Sequence, residues 1–274
     1  MYKSFYGLEI TPFEKSEKPE YCYKSSDYSN VICRLNYLKE IKGIGLIIGS
    51  PGIGKSYTIR CFIENLNEDL NKVIYISSTN LSSFEFYGSI AKKLSISVGS
   101  CYKDELYSNI QAEIKRLVDK QRKEVMVIID DAGNLSREIF TDLKILYDFG
   151  MERKDYTTII LVGDEKLFGE ISKGIYETLQ QRIVVNYKYH GLKREEVKNY
   201  IDTRMKLSKQ ENEIFTADAI NALYGASKGN PRRLNNLVIN SLIIGSQQNK
   251  KEIDSEIVRL AKEEIDFIKW EESN

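Results

Sequence analysis

The chain has 274 residues, a hydrophobic fraction of 42% and equal numbers of basic and acidic residues, 40 of each. Zero net charge excludes a globally cationic nucleic-acid coat and a disordered polyelectrolyte, while leaving room for a local basic strip. At about 150 residues per domain, the length suits one large domain or two modest ones with a packed core.

Residues 1–25 are aromatic-rich, contain Pro12 and Pro19, and read as an extended strap packed on the domain that follows. From Ser26 to Lys42, Val31, Leu35 and Leu38 recur at helical spacing. Gly45–Gly49 is then a short continuous apolar run, as suits a strand buried on both faces of a parallel sheet. Similar runs follow at Lys72–Ser78, Glu124–Asp130, Thr157–Gly163 and Arg182–Tyr187. Helical patterns at Ser56–Leu66, Ser83–Leu94, Asp104–Gln121 and Ser136–Phe149 separate most of them. This alternation predicts a doubly wound α/β domain with a five-stranded parallel sheet over residues 26–190. Beyond Tyr187 only helices are expected: Lys193–Leu207, one capped by Thr216 and ending near Gly229, Asn230–Ile244 and Asp254–Trp270. Residues 191–274 therefore read as a small all-α domain, with the boundary near His190-Gly191.

The segment Gly49-Ser50-Pro51-Gly52-Ile53-Gly54-Lys55-Ser56, followed by Tyr57, fits GxxxxGK[ST] between a strand and a helix, the context a phosphate-binding loop requires. Glycines let successive N–H groups turn toward phosphate oxygens, and the following helix adds its positive end. Lys55 would reach the β- and γ-phosphates of ATP, and the Ser56 hydroxyl would hold Mg²⁺. The strand Val125–Ile129 ends in Asp130-Asp131. Asp130 suits Mg²⁺ coordination, and Asp131 is the candidate base that orients the attacking water. Lys55 and Asp130 are 75 residues apart, too far for adjacent strands of one βαβ unit, so another strand is expected between theirs.

Taken in order, these motifs resemble a AAA+ ATPase of the ExeA/TniB-like group. Tyr6-Gly7-Leu8 with Pro12-Phe13 resembles that group's FGL…PF opening, and Ile129–Leu135 its IDEAQNL. Leu161–Asp164, Gln180–Ile183 and Gly229–Leu234 resemble its LVG(Q/T), QRI and G-x-P-R segments. The resemblance implies an αβα ATPase domain with a helical lid, and ATP bound between protomers of a ring or helical filament. It places Asp164 at the sensor 1 position, where a neutral polar residue is usual, Arg182 at a trans-acting arginine finger, and Arg232 at sensor 2. A planar, permanently charged guanidinium suits both arginine roles. Asp131 stands where the group has Glu, one methylene longer, so hydrolysis is expected to be slow or partner-dependent. Gly133 replaces the group's Gln.

Three uses compete: a transposition helper that assembles on double-stranded DNA and recruits a transposase, a secretion-associated ATPase of the ExeA kind, and a small-molecule phosphotransferase. The chain ends soon after its lid, which weighs against an envelope role, and the lid with Arg232 weighs against a phosphotransferase. The transposition helper is thus the favoured expectation. Lys92, Lys93 and Lys103 are the candidate DNA contacts, with a basic helix end at Lys115-Arg116, Lys120, Arg122 and Lys123. No apolar run approaches the ~18 residues of a membrane span, and no signal peptide is legible, so a cytoplasmic location without a membrane partner is expected. Four cysteines (Cys22, Cys33, Cys61, Cys101) without CxxC spacing, and a lone His190, argue against structural zinc or a disulfide framework. Tyr2, Tyr6, Tyr21 and Tyr23 either stack on the adenine or pack the opening segment; Trp270 reads as an anchor for the last helix.

Overall fold

β-Branched runs set the architecture. In the computed structural model, which describes residues 2–13, 23–77, 81–97, 102–149, 155–210 and 212–271 (side chains to 266), five such runs are parallel strands. They are β1 (Gly43–Ile48), β2 (Asn71–Ser77), β3 (Glu124–Asp130), β4 (Thr157–Gly163) and β5 (Ile183–Lys188). Their order is β2-β3-β4-β1-β5. β4 pairs in register with β1, Gly43 opposite Thr158, and with β3, Val125 opposite Thr157. One strand thus separates the strand that leads into the glycine loop from the strand that ends in Asp130. The chain divides into two compact units: residues 30–51 with 55–189, and residues 1–29 with 52–54 and 190–274.

The first unit is the sheet with its helices. β4 is buried along its whole length, whereas the edge strand β5 leaves Val184, Asn186 and Lys188 exposed. Alternation sends Ile44, Leu46 and Ile48 into one core. There they join Ile74, Val127, Ile129 and Leu161 from the neighbouring strands. α4 (Ser83–Lys93) and α5 (Lys103–Gln121) bring Phe86, Tyr87, Ile90, Ile110 and Ile114 to that core. Ile47, Met126, Ile128 and Ile160 point the other way and are equally buried. On that face α2 (Ser26–Ile41) packs closely enough that a Cβ on Gly45 would fall 2.5 Å from Leu38 Cδ2.

Residues 136–149, expected as one helix, form α6 (Arg137–Asp142) and α7 (Lys144–Tyr147). Leu146 N–H bonds to Leu143 O, three residues back, and this tighter turn interrupts the α-helical ladder. α8 (Glu165–Ile171) and α9 (Glu177–Gln181) fill the stretch between β4 and β5, which the apolar pattern left unassigned.

The second unit is helical, with its own core. Its elements are α10 (Arg194–Leu207), α11 (Ala217–Ser227), α12 (Pro231–Gln247) and α13 (Ser255–Glu271). Thr216 and Asn230 cap α11 and α12 by accepting from Ala219 and Arg233 N–H. Between those helices Gly229 has φ +73°, and a Cβ there would lie 2.2 Å from Leu192 O. Only glycine fits that turn.

The opening segment differs from the extended strap expected. Residues 2–6 form a short helix, α1, and Tyr6, Leu8 and Phe13 are buried in the helical core. The Tyr6 hydroxyl donates to Lys250 O at 2.8 Å, and Tyr23 packs edge-on against Tyr200. Both tyrosines are packing residues, which answers the choice left open by the sequence. Cys22, Cys101 and Tyr21, and the side chain of Trp270, lie outside the described residues.

Candidate nucleotide-binding site

Gly49 leaves β1 with its N–H still bonded to Gly163 O of β4 at 3.1 Å. The loop then turns through Gly52 (φ +79°) and Gly54 (φ +110°), conformations that L side chains avoid. A Cβ on Gly54 would meet nothing within 4 Å, so backbone conformation rather than crowding demands glycine there. Pro51 and Ser56 are exposed, Ile53 is buried and Tyr57 is half-buried.

Lys55 opens α3 (Lys55–Glu64). Its side chain is buried, and Nζ donates to Gly49 O at 2.6 Å and Ser50 O at 3.1 Å. A buried ammonium folded onto the carbonyls of its own glycine loop needs oxygen partners, and phosphate oxygens satisfy it better than neutral carbonyls. The positive end of α3 adds to the cradle.

Asp130 ends β3 and is only 3% exposed. One carboxylate oxygen accepts the Tyr75 hydroxyl at 2.7 Å, and the other accepts Asp131 N–H at 3.0 Å. Burial first, and the bond to Asp130 next, hold the Tyr75 hydroxyl well above the usual phenol range, so it stays a neutral donor. Asp131 is exposed and left-handed (φ +53°), a conformation Asp tolerates better than most residues. Among the described residues, no group of three or more His, Cys, Asp or Glu could hold a metal ion. One hydroxyl and one carboxylate, Ser56 and Asp130, suit Mg²⁺, which keeps waters and binds one or two protein groups plus phosphate oxygens.

Asp164, at the expected sensor 1 position, directly follows β4. Its carboxylate accepts Lys166 N–H at 3.0 Å and caps α8. A Cβ on Gly133 would come within 3.2 Å of Asp164 Oδ1 and of Leu167 N. The two departures from the family pattern are therefore coupled: the missing side chain at 133 makes room for the capping carboxylate.

Arg182 lies between α9 and β5, half-buried, with Nη1 3.7 Å from Asp155 and its guanidinium 5.7 Å from the Tyr147 ring. Arg232 is exposed in the first turn of α12 and donates its backbone N–H to Gly52 O at 3.2 Å, while its neighbour Arg233 pairs with Asp266. Lys92 and Lys93 end α4, both exposed. Lys103 is engaged elsewhere: its ammonium pairs with Glu138 and lies 3.5 Å from Asp142, and the Glu138 bond holds it protonated well beyond the usual lysine range. A phosphate contact from Lys103 would have to break these pairs. Arg116 is likewise paired, with Glu113.

Sequence reasoning missed two residues. Tyr75 belongs to no motif; its one signal is its place on β2, two positions before Ser77, which pairs with Asp130. Asp27 is buried and accepts the N–H groups of His190 and Gly191 at 2.9 and 2.8 Å. The exposed His190 ring lies 3.6 Å from Asp27 Oδ1, a place in a turn rather than in a catalytic cluster.

Residues 39–169 match the AAA domain family. General secretion pathway protein A of Aeromonas hydrophila is 26% identical over 282 residues, which cover 99% of this chain and 50% of the relative. The chain thus spans about half the length of that curated relative. Among solved structures, Cdc6p from Pyrobaculum aerophilum superposes with a TM-score of 0.67 at 16% identity, over 96% of this chain and 70% of that one. The Aeropyrum pernix ORC1 protein, solved in complex with DNA, gives 0.62 at 15% identity over 89% and 65%. The Thermotoga maritima RuvB Holliday junction branch migration motor gives 0.58 at 18% identity over 93% and 73%. At such identities these structures establish the fold alone. Among the described residues no helix is long and apolar enough to cross a membrane. Phosphate-loop motif, strand order and sequence match converge: the chain has the αβα P-loop NTPase fold, its residues 39–169 match the AAA domain, and it is similar to ExeA-type AAA+ ATPases.

Proposed function

We propose that the chain binds ATP with Mg²⁺ through Gly49–Tyr57 and Asp130, hydrolyses it slowly, and uses the nucleotide to drive self-assembly on double-stranded DNA. The observation that carries the nucleotide site is the buried Lys55 ammonium, held 2.6 Å from Gly49 O at the head of α3. Lys55 would exchange its carbonyl partners for β- and γ-phosphate oxygens. When bound, Mg²⁺ would neutralise phosphate charge, held by the Ser56 hydroxyl and the Asp130 carboxylate. Asp131 would orient the attacking water, with a shorter reach than Glu. Arg182 from a neighbouring copy and Arg232 would meet the charge of the transferring phosphoryl group; within its own chain Arg182 has a 3.7 Å contact to Asp155 and a place near the Tyr147 ring. In equilibrium binding with a fluorescent ATP analogue, the Lys55→Ala protein should lose uptake by at least about tenfold, the weight of one good charge-assisted bond. Equal affinity in the two proteins removes the proposal. Brisk turnover by the isolated protein would refute slow hydrolysis; Asp131→Glu is the comparison.

DNA assembly is supported by exposed Lys92 and Lys93 and by fold neighbours that include the Aeropyrum pernix ORC1 protein in complex with DNA and the RuvB branch migration motor. Transposase recruitment is the specific use we attach to it. A second reading, an ATPase serving secretion, is favoured by the match to General secretion pathway protein A along 99% of this chain. Because that relative is twice as long as the aligned stretch, length does not separate the two. Sedimentation with duplex DNA and a non-hydrolysable ATP analogue does. Nucleotide-dependent, salt-sensitive co-sedimentation supports the DNA role, and its absence at low salt leaves the secretion role.

A further inference from the structure

We propose that Tyr75 is a positioning residue for the metal-binding carboxylate: its hydroxyl fixes the rotation of Asp130 so that the carboxylate presents its free lone pairs to Mg²⁺ or to its waters. This rests on the nucleotide site proposed above.

The register between β2 and β3 carries it. Ser77 of β2 is the partner of Asp130 on β3, and Tyr75 lies two residues earlier on the same face. A tyrosine leaning along its strand spans that offset, and its hydroxyl reaches Asp130 at 2.7 Å. The other carboxylate oxygen takes Asp131 N–H at 3.0 Å. A carboxylate has about four lone-pair sites, so roughly two remain for a cation and its waters. The terminal torsion of Asp is soft, with broad wells. Without the phenol, one anchor of a buried anion is gone and the carboxylate turns on the other. Tyr75 is half-buried and lies on a strand, so its placement is set by the sheet rather than by a loop.

Tyr75→Phe keeps the ring and deletes the donor. The test is equilibrium binding of a fluorescent ATP analogue, first in EDTA and then across a MgCl₂ titration. The variant should match the parent in EDTA, and should need about 10–100-fold more MgCl₂ for half of the metal-dependent tightening, the usual cost of losing a partner of a metal-binding group. Placed in an Asp130→Asn background, Tyr75→Phe should cause no further change, because its effect passes through that carboxylate. Superimposable MgCl₂ titrations, a leftward shift, or an equal shift with Asp130 already replaced would each overturn the proposal. So would loss of EDTA-state binding by Tyr75→Phe, which would make the tyrosine a packing residue. Failure of the unaltered protein to take up nucleotide at all would remove the site and this inference together. A parent that binds normally while the variant's titration is unmoved removes the inference alone.

Discussion

At the scale of single residues, the departures from the family pattern explain one another. Gly133 lacks a side chain where the group carries Gln, and Asp164 carries a charge where the group is neutral. The 3.2 Å approach of a Gly133 Cβ to Asp164 Oδ1 joins the two changes. Gly133→Ala should therefore displace the Asp164 carboxylate and weaken the cap on α8, and Asp164→Ser, shorter but still able to cap, should relieve it. In urea melts, the double variant should be more stable than the sum of the singles by about 0.5–1 kcal/mol. Strict additivity would show that the two positions do not interact. Asp131 follows the same logic, since its left-handed backbone is better tolerated by Asp than by a longer side chain.

At the scale of elements, caps set where helices begin. Ser82 and Glu85 form a reciprocal capping box on α4. Asp254 begins α13 by accepting Ile257 N–H at 3.0 Å, and Lys250 Nζ lies 3.0 Å from its other oxygen. The Ile257 N–H first and the Lys250 bond next hold the Asp254 carboxyl below its ordinary range. A lowered folded-state value makes its stabilisation complete above the unfolded pKa of about 3.9, and lost as pH falls through the lowered value. Asp254→Ala should cost about 1 kcal/mol near neutrality. In urea melts, the gap between parent and variant should narrow as pH falls below that unfolded value and through the lowered folded-state one. A gap independent of pH would mean that the carboxylate charge contributes nothing. The elements the sequence concealed were those without periodicity. α8 and α9 are seven and five residues long, too short for an amphipathic stripe, although Asp164 before Glu165 was a capping signal.

At the scale of the molecule, two units each with a core share one chain. A ligand that binds only the folded state stabilises it by mass action, by about 2.7 kcal/mol at a hundred times its Kd. Saturating Mg²⁺-ATP should raise the melting temperature of the parent by several degrees, leave Lys55→Ala unmoved, and give Tyr75→Phe a reduced shift at limiting MgCl₂. An equal rise for parent and Lys55→Ala would place the nucleotide elsewhere. The sequence by itself determined the αβα class, the phosphate loop and the acid at the end of β3. Those depend on local chemistry: β-branched runs, glycines at positive φ, and a carboxylate placed by strand length. Tertiary structure alone decided that Tyr75 reaches Asp130, that Asp27 binds the His190 turn, that Lys103 is spent on Glu138 and Asp142, and that the opening segment packs with the helical core. Each of these joins residues about 35 to 245 positions apart or depends on strand register, and no local pattern of residue types encodes which distant partner a side chain will meet.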